Sequence, residues 1–68
     1  MAYYEYIKRA YGLSFAPGER VTHTVVKKDG TVRQENPSSG HYVMVAFDGE
    51  RHASPCHPGE LEKLGRQH

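Results

Sequence analysis

His41-Tyr42-Val43-Met44-Val45-Ala46-Phe47, closed by Asp48-Gly49, is the stretch whose reading decides the fold. Its alternation puts Val43, Val45 and Phe47 on one face and Tyr42, Met44 and Ala46 on the other, as in a strand that rests on a core. Asp48-Gly49 then supplies a tight return. Upstream, Pro17-Gly18 is a turn, and Glu19-Arg20-Val21-Thr22-His23-Thr24-Val25-Val26 is rich in the β-branched residues that suit a strand. Lys28-Asp29-Gly30-Thr31 predicts a two-residue hairpin, since Asp-Gly suits the positive φ angles of a type I′ turn, with Thr31-Val32-Arg33-Gln34-Glu35 as the returning strand. Asn36-Pro37-Ser38-Ser39-Gly40 reads as a loop. Downstream, Glu50-Arg51-His52-Ala53-Ser54 returns from the second Asp-Gly, and Pro55 and Pro58 interrupt the ladder. Pro58-Gly59-Glu60-Leu61-Glu62 suits a 3₁₀ turn before a last strand at Lys63-Leu64. The expected core is Val21, Val32, Val43, Val45, Phe47, Leu61 and Leu64.

Ahead of the strands, residues 2–11 place Tyr3 or Tyr4, Ile7 and Tyr11 at helical spacing, with Lys8 and Arg9 on another side. Gly12 stands where a left-handed residue would end a helix. Ten residues are too few for a helix that stands alone, so its aromatic stripe must dock on the strands. The expected organisation is a helix over 1–12, a barrel over 13–64 and a frayed tail over 65–68, one domain in all. The fold class is mainly β, a small barrel of four to five strands with a 3₁₀ turn before the last. That order of elements is the plan of SH3-like barrels.

The chain has 68 residues, nine Lys and Arg against eight Asp and Glu, five histidines and one cysteine. So short a chain buries only about 60% of the surface its unfolded form exposes. A single cysteine cannot form an internal disulfide, which fits a reducing cytoplasm rather than a disulfide-framed secreted module. No apolar run approaches the roughly 18 residues of a membrane-spanning helix, so no membrane is expected among the partners. The near-balance of charge argues against a dedicated duplex-DNA binder, which takes most of its affinity from phosphate neutralisation.

Tyr11-Gly12-Leu13, Gly18-Glu19-Arg20-Val21, Tyr42-Val43-x-Val45-x-Phe47-Asp48-Gly49, Pro55-x-His57-Pro58 and Leu61-Glu62 follow one another in an order that resembles a family of small phage- and prophage-encoded proteins. The resemblance covers about residues 11–64. It implies an SH3-like barrel and an accessory binding role, and it carries no catalytic residues over. The tyrosine-rich N-terminus and the loop around Asn36–Gly40 depart from the pattern. A looser resemblance joins the chain to the type II plasmid dihydrofolate reductases, which share the opening and closing motifs. His52-Ala53-Ser54-Pro55-Cys56 lacks the Val-Gln-Ile-Tyr segment on which their activity depends. Gly18-x-Arg20-Val21 with Gly30-x-Val32 also resembles KOW-type RNA-binding barrels.

Four sets of residues bear on chemistry. Arg20, Lys27, Lys28, Arg33 and Arg51, with Tyr42 as a stacking aromatic, form a candidate nucleic-acid-binding set, because small barrels grip single strands with cations and ring faces. Solvated strand faces balanced by Glu19, Asp29, Glu35 and Glu50 are the plainer reading. Tyr3, Tyr4 and Tyr6 form the alternative, a protein interface for a host or phage protein or a second copy in a homo-oligomer, since tyrosine joins apolar area to a polar tip. His52-x3-Cys56, with His57 and His41, has spacing adequate for zinc, but lacks the paired ligands of structural sites. His57, between two prolines, suits a turn cap better. Cys56 beside a histidine invites a nucleophile reading, but no orienting third group accompanies it. The expectation is therefore a non-enzymatic binding module without cofactor or metal.

Overall fold

The computed structural model describes residues 4–36, 38 and 40–64, so Tyr3 and the tail at 65–68 lie outside the described residues. A helix α1, Glu5–Tyr11, precedes five strands: β1 Arg20–His23, β2 Lys28–Val32, β3 Val43–Phe47, β4 Ser54–Cys56 and β5 Leu61–Lys63. A 3₁₀ turn, Pro58–Glu60, stands before β5. The strands form one antiparallel sheet in the order β4-β3-β2-β1-β5, curled into a half-barrel. The inner face holds Val21, Val32, Val43, Val45, Phe47, Cys56 and Leu61, closed over by Tyr4, Ile7 and Phe15. Leu64, expected in the core, is only partly covered; it follows the end of β5 and its N–H donates to Arg20 O at 2.9 Å.

Of the two expected Asp-Gly turns, the second forms and the first does not. At Asp48-Gly49 the chain turns, with Gly49 at φ 89° and the Glu50 N–H donating to Phe47 O at 2.9 Å. Asp29 and Gly30 instead lie inside β2, paired with Thr22 and Val21 of β1. The β1–β2 reversal comes earlier, over 24–27, between the paired residues His23 and Lys28. His23 causes it. Its Nδ1 accepts the N–H groups of Val25 and Val26 at 3.2 and 3.3 Å, and its backbone O accepts the Lys27 N–H at 2.8 Å. With Nδ1 accepting, the ring proton sits on Nε2, 3.2 Å from Glu60 Oε1. Val25 and Val26, read from sequence as strand, are consequently exposed at the tip of the turn. β1 and β2 are displaced accordingly from the expected spans 19–26 and 31–35.

The space beside Gly30 is taken up by the neighbouring strand β3. A Cβ there would stand 2.6 Å from Val45 Cγ1, 2.8 Å from Ala46 O and 3.0 Å from Phe47 Cα. Strand glycines often mark such close approaches. Pro55 is a further correction: it sits within β4, opposite Met44, rather than breaking the ladder. β4 is an edge of the sheet, where a residue without an N–H is tolerated and blunts the edge. The last strand begins at Leu61, two residues earlier than expected, because the 3₁₀ turn is only Pro58–Glu60.

Helix α1 ends as expected at Gly12, left-handed at φ 70° with its N–H on Lys8 O. At the other end Tyr4, also left-handed at φ 53°, donates its N–H to Glu35 Oε1 at 3.0 Å. Its side chain is 1% exposed. Its hydroxyl donates to Arg33 O at 2.7 Å and accepts the Met44 N–H at 3.2 Å. Arg33 N–H donates to Met44 O at 2.8 Å, so Arg33 and Met44 continue the β2–β3 ladder by one rung. In that rung the Tyr4 hydroxyl stands where the return bond would form. The helix is pinned to the sheet through the backbone itself.

Candidate functional site

The sheet register sorts the expected binding residues. Val32 of β2 faces inward, so Arg33, next along the chain, faces outward beside Met44. Tyr42 immediately precedes β3, two residues before Met44. Tyr42 is 45% exposed. Arg51 and His52 come down between the Asp48-Gly49 turn and β4. Arg33 and Gln34, which follow β2, and Arg51, His52 and Ala53, which precede β4, line an open recess of about 360 Å³. Neither Arg33 nor Arg51 has a carboxylate partner among the described residues.

The other members of the set are placed differently. Arg20 is held by Asp48 in a two-pronged pair, Nη1 to Oδ1 and Nη2 to Oδ2, both 2.8 Å, and Nη1 also donates to Thr31 Oγ1 at 2.9 Å. That bond keeps the Asp48 carboxyl below the usual carboxylate range and raises the guanidinium. Lys28 Nζ stands 3.6 Å from Glu50 Oε2. Lys27 belongs to the β1–β2 turn, at φ 61°. The six residues therefore do not make one basic face. Two arginines share a recess, while Arg20 and Lys28 are locally neutralised.

The tyrosine set also divides. Tyr4 is a core residue, a correction with a clear cause, since its hydroxyl satisfies two backbone groups. Burial, and more weakly the Glu35 charge, push its phenol up, against a smaller opposing effect of the Met44 hydrogen bond. Tyr6 is 48% exposed and meets His41 edge-on at 4.6 Å between ring centroids. Tyr11 meets His57 in the same way at 5.5 Å, where α1 packs on the 3₁₀ turn.

The histidines and the cysteine are engaged individually. His57 caps the 3₁₀ turn, its Nδ1 accepting the Gly59 N–H at 3.0 Å, as its place between prolines suggested. Cys56 is buried, and its Sγ lies 3.5 Å from Ser54 O. Burial, then the Glu60 charge, push its thiol up, which disfavours the thiolate that nucleophilic or metal chemistry needs. Among the described residues no three His, Cys, Asp or Glu side chains converge as metal ligands, and no helix is long and apolar enough to cross a membrane.

Sequence reasoning named Arg33 and Arg51 but missed Gln34 and His52 as their neighbours. It also missed His23, whose role shows only as a polar residue just ahead of a reversal, a position from which a side chain can take nearby N–H groups. No family model, no curated protein and no solved structure matches the chain.

Proposed function

We propose that this chain is an SH3-like barrel of the phage-accessory kind, a non-enzymatic module that binds single-stranded nucleic acid on the outer side of β3. The observation that carries the proposal is the recess. Arg33 and Arg51, both without a carboxylate partner among the described residues, open onto it together, and exposed Tyr42 lies two residues before Met44, the residue that Arg33 faces across the sheet. Two guanidinium groups supply phosphate donors in a forked geometry, and a tyrosine ring offers a sequence-tolerant platform for a base. The element order supports the barrel assignment, with β5 returning to pair with β1 after a 3₁₀ turn. The cytoplasmic setting rests on the single cysteine, which suits a reducing compartment.

Titrating labelled single- and double-stranded oligonucleotides at low salt tests the proposal. Single strands are expected to bind with little sequence preference, and the affinity to fall with salt at a log–log slope of about −0.7 per phosphate contact. Tyr42→Ala should remove about 1–3 kcal/mol of binding. Absence of binding up to about 100 μM, the weak end of nonspecific nucleic-acid affinities, would end the reading. A protein-binding role is the second reading, favoured by the exposure of Tyr6 and Tyr11 along α1. It predicts a salt-tolerant partner, or a second copy of the chain, lost on Tyr6→Ala.

A further inference from the structure

We infer that the recess between Arg33 and Arg51 takes a phosphomonoester dianion, the phosphorylated end of a nucleic-acid strand, rather than a stretch of backbone. This rests on the nucleic-acid reading above and narrows it. The argument comes from where positive charge is left over. Arg9 is met by Glu5, Arg20 by Asp48, Lys28 by Glu50 and Lys63 by Glu19. Among the described cations that leaves Lys8, Lys27, Arg33 and Arg51. Lys8 sits in the last turn of α1 and Lys27 at the tip of the β1–β2 turn. Only Arg33 and Arg51 share a site.

A backbone-tracking groove needs cations at successive phosphates, because its affinity comes from neutralising many of them. Here the cations along the outer face alternate with carboxylates. Arg20 is locked to Asp48, and Asp29 and Glu62 flank Thr22 across β2 and β5. A strand laid along β1 and β2 would meet as much negative charge as positive. A single phosphate at the recess would meet two guanidinium groups and no carboxylate among the lining residues.

The charge count then selects the kind of phosphate. A bridging phosphodiester brings one negative charge and two free oxygens. A phosphomonoester near neutral pH carries a charge of about −1.5 to −2 and three acceptor oxygens. Two guanidinium groups, each able to make paired N–H···O bonds, match the second and overmatch the first. Gln34 and His52 add hydrogen-bonding side chains to the lining, and Ala53 an uncharged one. Tyr42, exposed and two residues before Met44, offers a ring for the terminal base alone rather than for a run of bases.

The test uses the full chain and short single strands of one sequence carrying a 5′-phosphate, a 3′-phosphate or only hydroxyl ends, read by fluorescence anisotropy. Inorganic phosphate and a nucleoside monophosphate serve as competitors. One phosphorylated end is expected to bind about tenfold or more tighter than the hydroxyl-ended strand, the size of one or two charge-assisted hydrogen bonds. Arg33→Gln with Arg51→Gln should erase that difference, while Arg9→Gln should keep it. All variants should melt like the parent, because these side chains are exposed. Equal binding of all three strands would overturn the inference and leave the nucleic-acid reading standing. A monophosphate that binds as tightly as the phosphorylated strand would overturn the strand end as the source of the phosphate. No binding of any strand would remove both readings together.

Discussion

At Asp48-Gly49 the glycine lies at φ 89° with nothing within 4 Å of where a Cβ would stand, and the chain reverses direction. At Asp29-Gly30 the same dipeptide runs straight through the middle strand of the sheet, and a Cβ would meet Val45 and the Ala46 carbonyl at less than 3 Å. One glycine is kept for its backbone freedom, the other for its missing side chain. The two sites are joined, since Asp48 N–H donates to Asp29 O at 3.0 Å and Gly30 pairs with Phe47. A dipeptide preference is thus a statement about what a segment can do, and the packing around it decides which capacity is used.

The strongest way to break this comparison is to remove the residue both sites rest on. Phe47→Ala takes away a buried ring opposite Gly30 and immediately before Asp48. It should cost about 3–5 kcal/mol, a large share of the stability of a small domain, seen as a fall in the urea midpoint. A variant that unfolds at the parent's midpoint would refute the assignment of Phe47 to the inner face.

Gly30→Ala comes next, at about 3 kcal/mol, the upper end of overpacking costs, because one clashing atom is a backbone carbonyl that cannot rotate away. Adding Val45→Ala should relieve the contact with Cγ1 but not that with Ala46 O. The double variant should therefore lose less than the two single losses added, which a double-mutant cycle measures. Gly49→Ala should cost only about 1–2 kcal/mol, the expense of a left-handed alanine in open space. If thermal melts place Gly49→Ala below Gly30→Ala, the distinction between the two glycines fails.

The smallest effect belongs to the side chain that starts the second turn. Arg20 holds the Asp48 carboxyl below its ordinary value, so the pair adds stability above the unfolded pKa of about 4 and loses it as pH falls through the lower folded value. Asp48→Asn should flatten that acid limb and leave the neutral-pH melt little changed, since the pair is exposed. An unaltered acid limb in the variant would show that Arg20 contributes nothing there.

The sequence made the strands legible wherever alternation and burial agreed. Val43, Val45 and Phe47 are inward as their spacing indicates, and the antiparallel order with a 3₁₀ turn follows from the punctuation at Pro17-Gly18, Asp48-Gly49 and Pro58-Gly59. What misled was local chemistry read without its surroundings. Val25 and Val26 look like strand because they are β-branched, yet His23 gathers their N–H groups into a turn. Asp29-Gly30 looks like a turn because nothing in the sequence announces that β3 will pair alongside Gly30 so closely. The candidate site was half legible. Residue type nominated Arg33 and Arg51, but Arg20 and Lys28 carry the same signal, and only the long-range approach of Asp48 and Glu50 separates the paired cations from the unpaired ones.

The Tyr4 hydroxyl, seated between Met44 N–H and Arg33 O, makes the Met44 amide a local sensor. Its proton is held by a phenol from residue 4 rather than by the facing strand, so its exchange with solvent follows the lifting of the N-terminal segment and not the opening of the sheet. Amides of β3 that bond only to β2 or β4 should exchange on the slower clock of global unfolding, and the gap between the two clocks measures how firmly α1 is latched. Because the Arg33 carbonyl supplies the other half of that seat, unlatching also frees the carbonyl of a recess arginine. Occupancy of the recess should therefore slow Met44 exchange, although the helix never touches the ligand.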